Sequence, residues 1–254
     1  MAFKRKAKGK IMIIDQFYEA IEGVFKTVRE TQREAIIAAG KMMADAMCEG
    51  KMIHIHDTGH LINFEMINRS GGLVAPKQLV YYLVTQNDGR PRPELEKKDR
   101  TQVGMAQLVI NAGNICPGDL LIIGSVSGRN EQVVDLAITA KEYGCKIIAL
   151  TSMKYTTAVE SAHPSGKKLY EIADLVLDNC APLGDGMLDV EGLEMPFIPA
   201  SGMSATYVMW SVYAACVEEM LSRGITPGIY KSSNTPGGDE YNLEMEHRWE
   251  KYGY

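Results

Sequence analysis

The chain has 254 residues, a formal net charge of −5 and 46% hydrophobic residues. This length suffices to bury one sizeable core, so we expect a single domain with helical additions. The acidic balance argues against nucleic acid as a partner. The one strongly basic run, Lys4-Arg5-Lys6 with Lys8 and Lys10, lacks interleaved aromatic residues and is typical of a solvated terminus.

The cysteines and the apolar stretches indicate the compartment. Five cysteines occur without a CxxC pair, several of them within apolar segments, which is typical of reduced core thiols. No uninterrupted apolar stretch is long enough to span a bilayer, and the basic start is not followed by the apolar region of a secretory signal. We therefore expect a cytoplasmic protein without a membrane partner.

Residues 1–50 predict a helical segment. From about Ile13 to Cys48, apolar residues recur mostly at three- and four-residue steps without a proline, which indicates one long helix or two shorter ones. The apolar face must pack on the domain's own sheet or on another subunit, so we assign this segment to packing and oligomerisation. Residues 51–225 then form the main domain, and residues 226–254 form a C-terminal tail.

Short apolar runs alternate with helical patterns through the main domain. The predicted strands are Met52 to His56, Leu120 to Ile123, Cys145 to Leu150 and Leu175 to Leu177. The predicted helices are His60 to Arg69, Asn130 to Tyr143, Leu169 to Ile172 and Ser204 to Leu221. Strands that are nearly all apolar and alternate with helices indicate βαβ crossovers and a parallel, doubly wound α/β sheet.

Three of the predicted strands end in turns rich in hydroxyl groups and glycine. The polar or small residues of these turns are Thr58, Gly59, His60, Ser125, Ser127, Gly128, Arg129, Asn130, Thr151 and Ser152. Ligands of open parallel sheets lie beyond the carboxyl ends of the strands, where the amides of helix N-termini favour anions. The turns together predict a polar cup for a phosphate group, although each hydroxyl could instead cap its own helix.

The middle turn is the most informative of the three. Two serines and Gly128 leave the backbone open to a ligand, and Arg129 could add charge-assisted hydrogen bonds to a phosphate. The turn lacks the GxxxxGK[ST] spacing of a nucleotide P-loop, and the chain has no GxGxxG motif for a dinucleotide. We therefore expect no cofactor.

These motifs carry a family resemblance. GSVSGRN follows an apolar strand that starts with GD, and the strand one helix later ends in Thr-Ser, which resembles the signature of SIS (sugar isomerase) domains, a family that includes the phosphoheptose isomerases. The order DTGH, INRSGGL, GSVSGRN, ALTS, HPSGKKLYEIAD, VEGL and GGDEYN is similar to that of small stand-alone bacterial SIS proteins. This similarity covers the chain from about Ile13 to Asn242.

The resemblance implies a fold and a ligand. The fold is a five-stranded parallel sheet of flavodoxin-like order flanked by helices, in homodimers or homotetramers. The ligand is a phosphorylated sugar, with its phosphate at Ser125, Ser127, Asn130, Thr151 and Ser152. Gly124 before the first serine and Arg129-Asn130 after the glycine depart from the usual pattern of the family, which leaves the identity of the sugar open.

Two carboxylates are candidates for acid–base chemistry. Aldose–ketose conversion through an enediolate needs a base, usually a carboxylate, and an acid or hydrogen-bond donor. Glu65 is the first candidate base, because a similar glutamate stands near this position in phosphoheptose isomerases; alternatively it is a surface residue paired with Arg69. Glu191, in the loop before the last core helix, is the second candidate, with simple solvation as its alternative.

The acid is harder to assign. Phosphoheptose isomerases carry a histidine on the last core helix, whereas Ser204 to Leu221 contains none. His60 or His163 would have to substitute, although His163 begins the polar segment HPSGKK and could merely shape that turn.

Two rival functions remain open. The segment His54-Ile55-His56-Asp57 with His60 is reminiscent of strand-end metal sites in metal-dependent hydrolases, but the spacing does not fit an HxHxDH motif, and the two strand histidines could be core residues. A non-catalytic sugar-phosphate sensor would share the SIS fold. We expect a phosphosugar isomerase without a bound metal, with the sensor as the alternative.

Overall fold

The computed structural model describes residues 11–58, 61–84, 86, 89–90, 92, 94 and 101–254. In chain order its elements are α1 (Ile13–Thr31), α2 (Arg33–Cys48), β1 (Ile53–Asp57), β2 (Pro76–Gln78), α3 (Met105–Ala112), β3 (Leu120–Gly124), α4 (Glu131–Tyr143), β4 (Lys146–Thr151), α5 (Met153–Thr156), α6 (Leu169–Ile172), β5 (Leu175–Asp178), β6 (Gly186–Leu188), β7 (Phe197–Pro199), α7 (Ser201–Ser222) and α8 (Gly238–Tyr252).

A five-stranded parallel sheet forms the centre of the domain. Its strand order is β2-β1-β3-β4-β5, which confirms the predicted flavodoxin-like order. Every residue of β1 and β3 is buried. Strands buried on both faces require apolar side chains pointing both ways, which explains the continuous Leu-Leu-Ile-Ile run of β3.

Helices cover both faces of this sheet. Residues of α2 and α7 share one apolar cluster with the sheet residues Ile53, Ile55, Leu120, Ile122, Ile148 and Leu150. Residues of α3 and α4 share the opposite cluster with Leu121, Ile123, Ile147 and Ala149. The alternation of sheet residues between the two clusters follows the two-residue period of a strand.

The N-terminal helical segment consists of two helices that are separated at Gln32. The Gln32 side-chain oxygen accepts a hydrogen bond from the backbone N–H of Asp178, at the end of edge strand β5 (3.1 Å). This contact fastens the junction of the two helices to the sheet. No helix in the described part of the chain is long and apolar enough to cross a membrane.

The helix predicted from His60 to Arg69 is wrong. His60 lies outside the described residues, residues 61–68 form turns and bends, and Arg69 is not helical either. The Asp57 carboxylate accepts the backbone N–H groups of Ile62 and Asn63 at the start of this loop. Asn68 has a φ of 50°, which a right-handed helix does not allow. The Asp57 carboxylate takes backbone N–H groups that a helix would use, and Asn68 has a left-handed backbone. A compact loop therefore forms in place of the helix.

Several elements lie outside the pattern read from the sequence. These are β2, α3, the antiparallel hairpin of β6 and β7, and α8, which occupies half of the expected C-terminal tail. The strands have only three residues each, too few for a period to show. Short strands form because their neighbours supply the hydrogen bonds, which local sequence does not encode.

The contact between α2 and α7 gives a stability test. A Cβ atom added to Gly40 would lie 2.7 Å from the Cys216 amide nitrogen and 2.8 Å from the Ala215 carbonyl carbon, so the two helices would have to separate. We expect Gly40→Ala to lower the free energy of unfolding by about 1–3 kcal/mol in urea denaturation.

A matched control lies in α1. Gly23 is exposed, and an added Cβ atom there would have no neighbour within 4 Å. Gly23→Ala should therefore stabilise the protein by roughly 0.5–1 kcal/mol through helix propensity. Equal stability of the two variants would contradict the close approach of α2 and α7.

Candidate functional site

The carboxyl ends of three central strands meet at one edge of the sheet. Asp57 is in register with Gly124, and Gly124 is in register with Leu150. The backbone N–H of Thr58 donates to Gly124 O (3.3 Å), and that of Ser125 donates to Leu150 O (2.9 Å). The turns after β1, β3 and β4 therefore begin side by side, although Gly59 and His60 of the first turn lie outside the described residues.

The turn after β3 has a fixed shape. The buried Ser125 hydroxyl accepts the backbone N–H of Gly128 (3.2 Å). Gly128 has a φ of 56°, and a Cβ atom there would lie 3.2 Å from Thr156 Oγ1 and 3.3 Å from Thr151 Oγ1. Both the left-handed backbone and the close packing favour glycine at this position.

Unpaired donors surround this turn. The backbone N–H groups of Val126, Ser127, Arg129 and Asn130 donate to no other described residue, and neither does the half-buried Ser127 hydroxyl. Asn130 is the N-cap of α4 but makes no side-chain capping bond. Open amides at the positive end of a 13-residue helix are suited to bind an anion.

Arg129 adds a positive charge to the turn. Its side chain is half-buried, and its Nε is buried without a hydrogen-bond partner among the described residues. Arg129 also forms no ion pair with a described carboxylate within 4.0 Å. Burying part of a guanidinium without a counter-ion is unfavourable, so the environment of Arg129 favours an anionic ligand.

The hydroxyls after β4 are engaged by the backbone. Thr151 and Ser152 are fully buried. Thr151 Oγ1 donates to Val126 O (3.0 Å), and Ser152 Oγ donates to Ala181 O (2.7 Å) while accepting the N–H of Tyr155 (3.1 Å). In this arrangement, the two hydroxyls shape the wall beside the turn and have no proton left to donate to an anion.

Glu65 lies in the loop after β1 rather than on a helix. Its carboxylate pairs with the Arg69 guanidinium at 2.9 Å, and its side chain is 34% exposed. It lines a cavity of about 720 Å³ between α1, this loop and the start of α7. The other walls are largely apolar and include Phe25, which stacks on Tyr207 (ring centroids 4.6 Å apart), and Trp210.

The cavity and the turn after β3 are close neighbours. Leu61 and Ile62 line the cavity, and a Cβ atom added to Gly124 would lie 3.5 Å from the former side chain and 3.7 Å from the latter. Gly124 immediately precedes the serines of the turn. The side chains of Leu61 and Ile62 therefore connect the cavity with the strand end that precedes the turn.

Of the other acid–base candidates, His60 lies outside the described residues, and Glu191 and His163 do not line this cavity. Glu191 is exposed between β6 and β7. His163 Nδ1 accepts the backbone N–H of Ser165 (3.1 Å), so the tautomer that fits this contact carries its proton on Nε2. Nε2 lies 3.9 Å from Asp135 Oδ1. The ring of His163 thus shapes the turn of residues 161–168.

The strand histidines have core partners. His54 Nε2 lies 3.2 Å from Asp119 Oδ2, and His56 Nδ1 lies 2.9 Å from Leu79 O while its ring stacks on Tyr81. Burial lowers the pKa of His56 below its ordinary value of 6.5. Within the described residues, no group of three or more His, Cys, Asp or Glu side chains could hold a metal ion.

The aromatic walls of the cavity are only partly predictable from the sequence. Tyr207 and Trp210 stand on the predicted last helix, but their role as cavity walls depends on where the loop after β1 packs. Phe25 comes from α1, about 180 residues earlier in the chain, and the helical period alone marks it as apolar. Only co-variation between α1 and α7 could have identified this contact from sequences.

Comparisons with known proteins agree with the fold. The SIS domain model matches residues 16–152. The UPF0309 protein of Streptomyces griseus is 35% identical over 229 residues, which is 89% of this chain and 91% of the relative. The UPF0309 protein of Geobacillus kaustophilus is 32% identical over 94% of both chains.

Solved structures give a more distant likeness. A phosphoheptose isomerase from Francisella tularensis aligns with 80% of this chain and 95% of its own, at 14% identity and a TM-score of 0.46. The phosphoheptose isomerase of Neisseria gonorrhoeae aligns with 83% and 97%, at 16% identity and a TM-score of 0.47. The family model and the curated relatives each cover more than half of the sequence, and by this evidence the chain belongs to the SIS domain family.

Proposed function

We propose that this SIS protein binds a phosphorylated sugar, with the phosphate at the turn after β3. The observation that carries the proposal is Arg129, whose partly buried guanidinium has no counter-ion among the described residues. The open N–H groups of Val126, Ser127, Arg129 and Asn130, the Ser127 hydroxyl and the N-terminus of α4 supply the further donors that a phosphate requires.

The sugar would then reach the cavity that holds Glu65. Leu61 and Ile62, which line the cavity and adjoin Gly124, would lie beneath the sugar. The Glu65–Arg69 pair is partly exposed (34% and 54%), and ion pairs of this kind are weak, so the carboxylate can exchange its partner for a ligand.

We propose aldose–ketose isomerisation as the reaction. Glu65 would take the proton from the carbon beside the aldose carbonyl, which leaves an enediolate, and would return the proton to the former carbonyl carbon, while the hydroxyl proton on the deprotonated carbon passes through solvent to the former carbonyl oxygen. Both protons are conserved, and no redox partner is required. Arg69, four residues later in the same loop and 2.9 Å from the Glu65 carboxylate, would stabilise the negative charge that develops on the enediolate oxygens.

A non-catalytic sensor is the second candidate. One observation favours it: among the described residues that line the cavity, Glu65 is the one carboxylate, and none is a histidine that could act as its acid partner. A protein that only recognises its ligand needs neither. Deuterium exchange at the sugar distinguishes the two functions, because it detects proton removal even without net conversion.

The phosphate site predicts a selective thermal shift. Aldose phosphates should raise the melting temperature, while the matching free sugars should not, since binding to the native state stabilises by about 2.7 kcal/mol at a hundredfold excess over Kd. Ser127→Ala and Arg129→Gln should reduce the shift, whereas Ser233→Ala, at an exposed site distant in sequence, should preserve it. Equal shifts with free and phosphorylated sugars would contradict a phosphate site.

The proposed base predicts a specific loss of proton transfer. With the aldose phosphate that gives the largest thermal shift, the proton beside the carbonyl should exchange with deuterated solvent. Glu65→Gln should slow this exchange by about two to four powers of ten and leave the thermal shift nearly unchanged.

Two controls accompany that measurement. Arg69→Gln removes the ion-pair partner but keeps the carboxylate, so it should lose less activity than Glu65→Gln. Exchange that survives Glu65→Gln and disappears in Glu191→Gln would transfer the role of base to Glu191. Tight binding without exchange in the unsubstituted protein would favour the sensor.

We further propose that residues 1–50 mediate assembly into a dimer or tetramer. Large apolar side chains are exposed on α1 and beside the cavity, including Ile14 (50%), Tyr18 (51%) and Phe64 (80%). A symmetric partner is the usual means of covering such surface. Light scattering should give the mass of a dimer or tetramer, and Ile14→Glu should lower it; a monomer at micromolar concentration would contradict this proposal.

A further inference from the structure

The loop that carries Glu65 is held by parts of the chain that come much later. Residues 61–72 contain no helix or strand. The Tyr213 hydroxyl of α7 donates to Met66 O (3.0 Å). The backbone of Tyr230 pairs with the end of the loop, because its carbonyl accepts the N–H of Gly71 (2.8 Å) and its N–H donates to Gly72 O (2.9 Å).

The Tyr230 side chain reaches further into the same loop. Its hydroxyl lies 3.1 Å from Asn68 Oδ1 and also contacts Glu246 Oε1 of α8. A phenol has one proton, which the carboxylate accepts most strongly; an Asn68 amide turned by 180° would donate its NH₂ to the phenol oxygen. Burial, together with Glu246, holds the pKa of Tyr230 well above its ordinary value, so the hydroxyl keeps its proton at neutral pH.

The carboxylate at the end of this chain of contacts is itself fixed. Lys77 of edge strand β2 contacts both oxygens of Glu246 (3.0 and 3.3 Å) and lies 4.1 Å from the centre of the Trp249 ring. A continuous polar connection therefore runs from the sheet through Glu246 and Tyr230 to Asn68, three residues after Glu65.

Asn68 needs such support. Its φ of 50° lies in the left-handed region, where a non-glycine residue is held by its surroundings at a cost of order 1 kcal/mol or more. If the contact with Tyr230 is lost, the backbone between Glu65 and Gly71 gains access to other conformations.

We propose that Tyr230 is a positioning residue for Glu65, acting through Asn68 and through its own anchor on Glu246. The C-terminal segment of residues 226–254 thereby belongs to the functional site, although its side chains do not line the cavity. This inference rests on the proposed role of Glu65 as the base, and it adds the C-terminal segment as the part of the chain that sets the position of that carboxylate.

The test substitutes Tyr230→Phe, which removes the hydroxyl and keeps the ring and the backbone pairing. The deuterium exchange of the aldose phosphate at saturation should slow roughly ten- to a hundredfold, because misplacing a reacting group by about 1 Å has an effect of this size. The half-saturating concentration and the thermal shift should stay near those of the unsubstituted protein, because the phosphate turn is untouched. A general loss of structure would change both.

Tyr241→Phe is the matched control. Tyr241 also lies on the C-terminal segment, and its hydroxyl has no hydrogen bond to another described residue. In the Tyr241→Phe variant, deuterium exchange of the aldose phosphate should proceed at the rate of the unsubstituted protein. Unchanged exchange in Tyr230→Phe, or an equal decrease in both variants, would overturn the positioning role alone. Absence of exchange in the unsubstituted protein would instead refute Glu65 as the base and this inference with it.

Discussion

The structure depends on a strand that has no face toward water. All five residues of β3 are buried, so helices must cover the sheet from both sides, and each covering helix must return the chain to the same end of the sheet. Because every crossover starts from a carboxyl end, the turns after the central strands gather at one edge. The location of the candidate site is thus a consequence of burying Leu120 to Ile123.

Aspartate side chains make these turns specific. The carboxylates of Asp57, Asp119, Asp135, Asp178 and Asp185 each accept at least two hydrogen bonds from backbone N–H groups in the turns and helix starts that connect the elements. An ionised carboxylate gains from several such donors, and the donors avoid being buried unpaired. The turn after β3 has no such aspartate among the described residues. Its backbone donors therefore stay open.

The sequence was sufficient for the elements whose pattern is local. The apolar runs of β1, β3, β4 and β5 and the stripes of α4 and α7 identified the sheet to within a few residues, and glycine and serine marked the turn beyond β3. The sequence was insufficient where a residue distant in the chain determines the local structure. Asp57 converts an expected helix into the Glu65 loop, β2 exists because β1 offers it hydrogen bonds, and the cavity forms only when Phe25 of α1 meets Tyr207 of α7.

The two edges of the sheet bear on how the protein behaves in a crowded solution. An exposed edge strand offers its free backbone groups to strands of other molecules and so promotes aggregation. Here β2 is three residues long, begins with Pro76, which has no N–H, and carries Lys77. At the opposite edge, Gln32 occupies the N–H of Asp178. A short, proline-bearing strand at one edge and an occupied N–H group at the other both disfavour growth of this parallel sheet by strand addition.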